Sequence, residues 1–256
     1  MAEERQTNYT VMEGYELPSG GVIYDAPVNK HVELRSMTAR DEMKRLSPSS
    51  TPLKTLADII EGCMIEKPAI HVYDMALADY EYLLHKLRIV TYGEDYKIGI
   101  RCPECGEEIE VIAKLDSLDL KEFDKDAWDE LREFSLPKSG KRITLKFLTP
   151  RLLDEIEAKA KDAQRKFKGG GYDFETSTKL LMCIDTVDGE VKRITELESI
   201  VNNLPAADMT KILNNMDKLN VAFGLDNRLF VTCPKCGEEV MTFFRFGPEF
   251  FRPTTI

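Results

Sequence analysis

Arg101-Cys102-Pro103-Glu104-Cys105-Gly106-Glu107-Glu108 has a near copy late in the chain, Thr232-Cys233-Pro234-Lys235-Cys236-Gly237-Glu238-Glu239. Each is a Cys-Pro-x-Cys-Gly knuckle. Two intervening residues let the chain turn back, so that both sulfurs face one ion. The proline fixes the start of the turn, and the glycine takes the left-handed backbone that closes it. Two knuckles supply four thiolates, the set that fills a tetrahedral zinc ion in a closed structural site. Cys102, Cys105, Cys233 and Cys236 are therefore the expected ligands of one structural zinc per chain. A single Cys-x-x-Cys fits a redox pair or chance; two with the same flanks are far more specific. The competing readings are four reduced, unligated thiols, or a disulfide in each knuckle. No secretory signal precedes the knuckles, which disfavours the disulfides.

Zinc ribbons usually separate their knuckles by a few tens of residues. Here a whole domain's length of chain lies between Cys105 and Cys233, and an internal repeat accounts for it. Gly93 and Gly224 stand equally far ahead of their knuckles. Each follows a helical pattern, Tyr80, Leu83, Leu84 and Leu87 in one and Met209, Ile212, Leu213 and Met216 in the other. Each helix opens near an Ala-Asp pair, Ala78-Asp79 and Ala207-Asp208. Val32-Glu33-Leu34-Arg35-Ser36-Met37-Thr38-Ala39-Arg40 resembles Ile143-Thr144-Leu145-Lys146-Phe147-Leu148-Thr149-Pro150-Arg151. Ahead of these lie Leu17-Pro18-Ser19-Gly20 and Leu136-Pro137-Lys138-Ser139-Gly140. The order turn, strand, Thr-capped helix, further helices, glycine stop, strand, knuckle, strand is written twice.

The fold expected is α+β: two duplicated α/β lobes of short strands and helices, each with a CPxCG hairpin, joined by a shared zinc-ribbon-like site. The divisions are an arm (1–13), a first repeat (14–115), an acidic linker helix (116–132), a second repeat (133–246) and an aromatic, proline-containing tail (247–256). Within the first repeat, Val22-Ile23-Tyr24 reads as a strand paired with 32–35. Thr38 with Asp41 reads as a capping box, and Thr51-Pro52 as a helix start. In the second, 176–185 reads as a helix, Thr195-x-x-Glu198 as a capping box, and Gly169-Gly170-Gly171 as a helix stop without the Gly-Lys-Ser/Thr ending of a phosphate loop.

The net charge of −10 argues against a nucleic-acid surface, which needs clustered Lys and Arg. Glu107, Glu108, Glu110, Glu238 and Glu239 crowd the knuckles and add to that argument. Charge is uneven, with eleven Asp/Glu against four Lys/Arg over 107–133 and the reverse bias over 138–168. Such neighbouring blocks face solvent, each other or partner subunits. No run is long and apolar enough for a membrane helix. His31, His71 and His85 have no ligand or triad spacing, and no hydrolase, metalloprotease or Walker pattern is present. Four thiolates leave zinc no open position for water, so the metal is expected to be structural and the chain not an enzyme. Cys63 and Cys183 read as buried thiols. The tail holds five phenylalanines over 243–251. Some pack on their own lobes, while Phe250 and Phe251 are candidate partner-binding residues.

These motifs together resemble a known family. Leu17-Pro18-Ser19-x-Gly21-x-x-Tyr24, Val32-x-Leu34-Arg35-x-Met37-Thr38-x-x-Asp41, Leu87-Arg88-Ile89-x-x-Tyr92-Gly93, the Cys-Pro-x-Cys-Gly hairpin and the Phe-Phe-x-Pro ending look like the baseplate hub and hub-assembly proteins of T-even-type contractile-tailed bacteriophages. The resemblance covers most of the chain, and the first hundred residues are its most specific part. It implies a non-enzymatic structural or assembly protein, found in the virion's tail baseplate or in host cytoplasm during assembly. Its partners would be other tail proteins, with no nucleic acid, membrane or small-molecule substrate. A zinc-ribbon protein that binds nucleic acid or acts as a regulator is the alternative.

Overall fold

The computed structural model describes residues 10–167, 171–244, 246 and 248–251. β1 (Met12–Glu16) pairs antiparallel with β2 (His31–Arg35), whose Val32 and Leu34 turn inward while His31 and Glu33 face out. Thr38 and Asp41 close a reciprocal capping box on α1 (Ala39–Leu46). Pro52 opens α2 (Pro52–Cys63), which buries Leu56, Ala57, Ile59, Ile60 and Cys63. α3 (Leu77–Tyr92) follows and stops at Gly93. β3 (Asp95–Arg101) and β4 (Glu108–Lys114) form the hairpin that carries the first knuckle. The connecting stretch holds β5 (Leu120–Lys121) and α4 (Lys125–Arg132), with Asp124 as N-cap.

Beyond it, β6 (Glu133–Ser135), β7 (Arg142–Leu145) and β8 (Ile184–Val187) make a three-stranded sheet in the order β6-β7-β8. Between β7 and β8 lie α5 (Pro150–Lys166), capped by Thr149, and α6 (Phe174–Cys183), capped by Asp173. α7 (Ile194–Asn202) and α8 (Ala206–Asn220) follow. β9 (Gly224–Leu225) pairs with β5, and β10 (Arg228–Thr232) with β11 (Glu239–Phe243) around the second knuckle.

Three expectations change. The partner of β2 is Met12–Glu16, starting inside the stretch read as an arm, and not 22–24. Gly20 and Gly21 take positive φ and Leu17 N–H bonds Lys30 O, so 17–30 is a long turn. The apolar run after Cys183 is a strand, because Leu145 already offers a partner edge to Ile184. Helix α7 starts two residues earlier than a Thr195 cap allows; Arg193 is its N-cap, without a side-chain capping bond. The glycine stop lies mostly at 168–170, outside the described residues.

The two halves share a set of polar contacts. Asp79 of α3 accepts from Ser19 N–H and Ser19 Oγ in the Leu17-Pro18 turn. Asp208 of α8 accepts from Lys138 N–H at 2.8 Å and Ser139 N–H at 2.9 Å in the Leu136-Pro137 turn. Thr91 Oγ1 accepts from Met37 N–H at 3.1 Å and donates to Leu87 O; Asn220 Oδ1 accepts from Leu148 N–H at 3.1 Å, and its Nδ2 donates to Met216 O. The helix ending at Cys63 runs into a bridge between Met64 and Leu34, and the helix ending at Cys183 into the pairing of Ile184 with Leu145. Residues 79 and 208, 87 and 216, and 91 and 220 stand equally far apart in sequence.

The cores interlock. The first gathers Leu34, Ile60, Leu83, Leu84 and Leu87, and also Leu229, Phe244, Phe250 and Phe251 from the far end of the chain. The second gathers Ile143, Leu145, Ile156, Leu180, Ile212 and Met216, and borrows Ala78 of α3 and its N-cap Ala76. Between them, Tyr73 Oη donates to Asp154 at 2.6 Å, Arg151 forks onto Asp74, and Leu77 N–H bonds Leu148 O at 2.8 Å.

Candidate metal centre

Each knuckle is built in the same way. Gly106 N–H bonds Cys102 O and Cys102 N–H bonds Glu107 O, both at 2.9 Å. Gly237 N–H bonds Cys233 O at 2.9 Å, and Cys233 N–H bonds Glu238 O at 2.8 Å. These short rings need a left-handed residue after the second cysteine, and Gly106 (φ 74°) and Gly237 (φ 80°) supply it. A side chain with a Cβ would strain that position.

The two hairpins face each other. Ile109, Val231 and Val240 form a small core with the inner cysteines Cys102 and Cys233, flanked by Ile98, Ile100 and Val111. This packing delivers all four sulfurs to one place, within 4.8 Å of one another. Cys102 Sγ is 3.7 Å from Cys236 Sγ, and Cys105 Sγ is 3.8 Å from Cys233 Sγ. A tetrahedron with Zn–S bonds of about 2.3 Å has edges of about 3.8 Å. The separations fit a metal tetrahedron and exceed a disulfide bond of about 2.05 Å. The residues that sequence reading named as ligands are thus brought together from both halves.

The electrostatics ask for a cation. The N–H groups of Cys236 and Lys235 hold the Cys233 thiol down to about 7. Cys236 goes the other way, up to about 12: the Glu238 N–H favours its thiolate, but desolvation and the neighbouring sulfurs outweigh it. Cys233 ionises readily while Cys236 and Cys105 resist, because negative sulfurs at this spacing repel. A divalent ion reverses that penalty.

Phe250 and Phe251, expected to reach a partner, are instead 0% exposed. Phe250 sits against Tyr96, Phe244 and Phe246. The buried Arg88 guanidinium donates to the carbonyls of Phe250, Gly93 and Asp95 and stacks on Tyr92 and Tyr96. Self-packing, the other option for the tail, is what these two rings do. Sequence reading quoted Arg88 only within a motif, without its role, and missed Asp79 and Asp208 as the holders of the two Leu-Pro turns, although the repeated Ala-Asp pairs carried that signal.

No helix among the described residues is long and apolar enough to cross a membrane. No curated protein matches the chain, and no solved structure does either. A family model does, over residues 15–252, a span that takes in both turns, both knuckles and the burying tail. The chain belongs to the T4 bacteriophage base plate protein family.

Proposed function

We propose that the protein is a non-enzymatic structural or assembly component of a contractile-tail baseplate hub. Two copies of one ancestral unit are held rigid by a single structural zinc on Cys102, Cys105, Cys233 and Cys236. The observation that carries this reading is the cluster of four sulfurs, two from each half, within 4.8 Å of one another. A closed four-sulfur site has no position for water, so its chemistry is mechanical: it fixes the hairpins and releases protons on loading. The paired turn, cap and bridge contacts support the duplication. The glutamates flanking both knuckles support protein over nucleic-acid contact there.

Metal analysis of the purified chain tests the site. One zinc per chain is expected; two ions, or iron with its visible charge-transfer colour, would overturn it. Replacing Cys233 and Cys236 with Ser in the phage is expected to block baseplate completion, and normal plaques from that phage would contradict the scaffold role. Mass spectrometry of virions separates a permanent subunit, present at fixed stoichiometry, from an assembly factor that leaves. Salt-sensitive gel shifts with DNA or RNA would favour the nucleic-acid-binding alternative.

A further inference from the structure

The two knuckle hairpins differ on their outer faces. In β3–β4 the cross-strand pair Gly99 and Glu110 lies outward, with Lys97 bridging to Glu110 at 2.7 Å. The matching pair of β10–β11, counted from the cysteines, is Phe230 and Met241, with Phe243 opposite Arg228 beyond it. Phe230 is 58% exposed, Met241 51% and Phe243 57%. The first hairpin shows that this cross-strand pair needs no apolar side chains to fold, although Ile112, the counterpart of Phe243, is also apolar and exposed. Phe230 and Met241 therefore extend the second hairpin's apolar face beyond what the fold itself requires.

A groove of about 380 Å³ opens at the end of that face. It is lined by Phe243 and Arg228, by Lys121, Phe223 and Asp226, and by Glu81 of α3 on the opposite half. The other charges there are committed. Arg228 is forked onto Asp226, and Lys121 donates to Val221 O. Glu81 has no hydrogen-bond or ion-pair partner among the described residues. At the other end of the apolar face, Glu239 is likewise without an ion pair among them.

We propose that the groove and the outer face of β10–β11 form one docking site for a segment of another tail protein. A basic side chain of that segment enters the groove to pair with Glu81, and its apolar neighbours cover Phe243, Met241 and Phe230. Charge complementarity selects this occupant. A second copy of this acidic chain would bring mostly like charge, and a purely apolar segment would leave a desolvated carboxylate unpaired. Desolvation holds the Glu81 carboxyl up to about 7, which is the cost an incoming cation removes. The proposal rests on the baseplate reading, but it can fail separately.

The test places a benzoylphenylalanine photoprobe at Met241 of the full chain during infection, with a probe at Val191, outside the groove, as control. Cross-linked peptides are identified in sedimented baseplate intermediates. The expected product joins Met241 to a different tail protein, in a segment with Lys or Arg among apolar residues. A synthetic peptide of that segment should bind the zinc-loaded chain about ten-fold more weakly after Glu81→Gln, with the thermal melt confirming that the variant is folded. The site is overturned if the chain sediments with baseplates but the probe links only to a second copy, to a segment lacking a basic residue, or to nothing. Peptide binding that ignores Glu81→Gln overturns it equally. A chain absent from every baseplate intermediate would instead refute the baseplate reading itself.

Discussion

Asp79 and Asp208 show how one carboxylate can organise a lobe. Each sits near the start of its helix and accepts hydrogen bonds from its Leu-Pro turn, and Asp79 also accepts one from Tyr24 Oη. Removing such an acceptor leaves buried or half-buried donors unpaired, at about 1–3 kcal/mol each. Asp79→Ala and Asp208→Ala should each lose about 2–4 kcal/mol in urea unfolding, by similar amounts if the two turns are equivalent. Glu81 is the opposite case, a carboxylate that weakens its own fold. Its folded value of about 7 lies above the ordinary one of 4.5, so the folded chain holds its proton longer than the unfolded chain does. Stability from this group is full below about pH 4.5 and is lost as pH rises toward 7. Glu81→Gln should therefore leave acid stability unchanged and raise stability at pH 8 by about 1–3 kcal/mol, read from urea midpoints at several pH values.

Among the elements, the two glycine stops look alike in sequence and differ in surroundings. Gly93 (φ 85°) faces open space, whereas a Cβ on Gly224 (φ 96°) would stand 2.9 Å from Ala78 Cβ of α3. Both positions penalise alanine through backbone strain, about 1–3 kcal/mol. Only Gly224→Ala adds a clash between the halves, so its thermal midpoint should fall further than that of Gly93→Ala. The knuckle hairpins have a core of only a few side chains, so a metal on the four cysteines would supply much of their stability. Chelation should sharply raise amide exchange in β3, β4, β10 and β11 while α2 and α3, deep in the first core, stay protected. Equal loss of protection everywhere would mean that the site holds more than its own hairpins.

At the scale of the whole molecule, two hydrophobic cores trade parts of the chain. The last aromatic residues of the chain complete the core of the first half, and Arg88 ties them down through backbone carbonyls. Phe250→Ala should cost about 3–5 kcal/mol, as for a buried ring in any core, and should loosen the first half, whose sequence lies far from the mutation. Limited proteolysis of that variant is expected to cut first around 14–115. If cutting stays confined to the C-terminus, the ring is not part of the first core.

Much of this was legible from local chemistry. The knuckles are complete in eight residues each, because ligand type, turn proline and closing glycine are neighbours in the chain. The capped starts of α1 and α5 and the family resemblance were legible for the same reason. What only the tertiary structure decided depends on long-range company. Whether Phe250 and Phe251 meet solvent or a core, whether 184–187 is helix or strand, and which carboxylates are partnered all turn on surfaces supplied from distant parts of the chain. A phenylalanine carries no local mark of the surface it will cover, whereas four cysteines at knuckle spacing carry their own geometry.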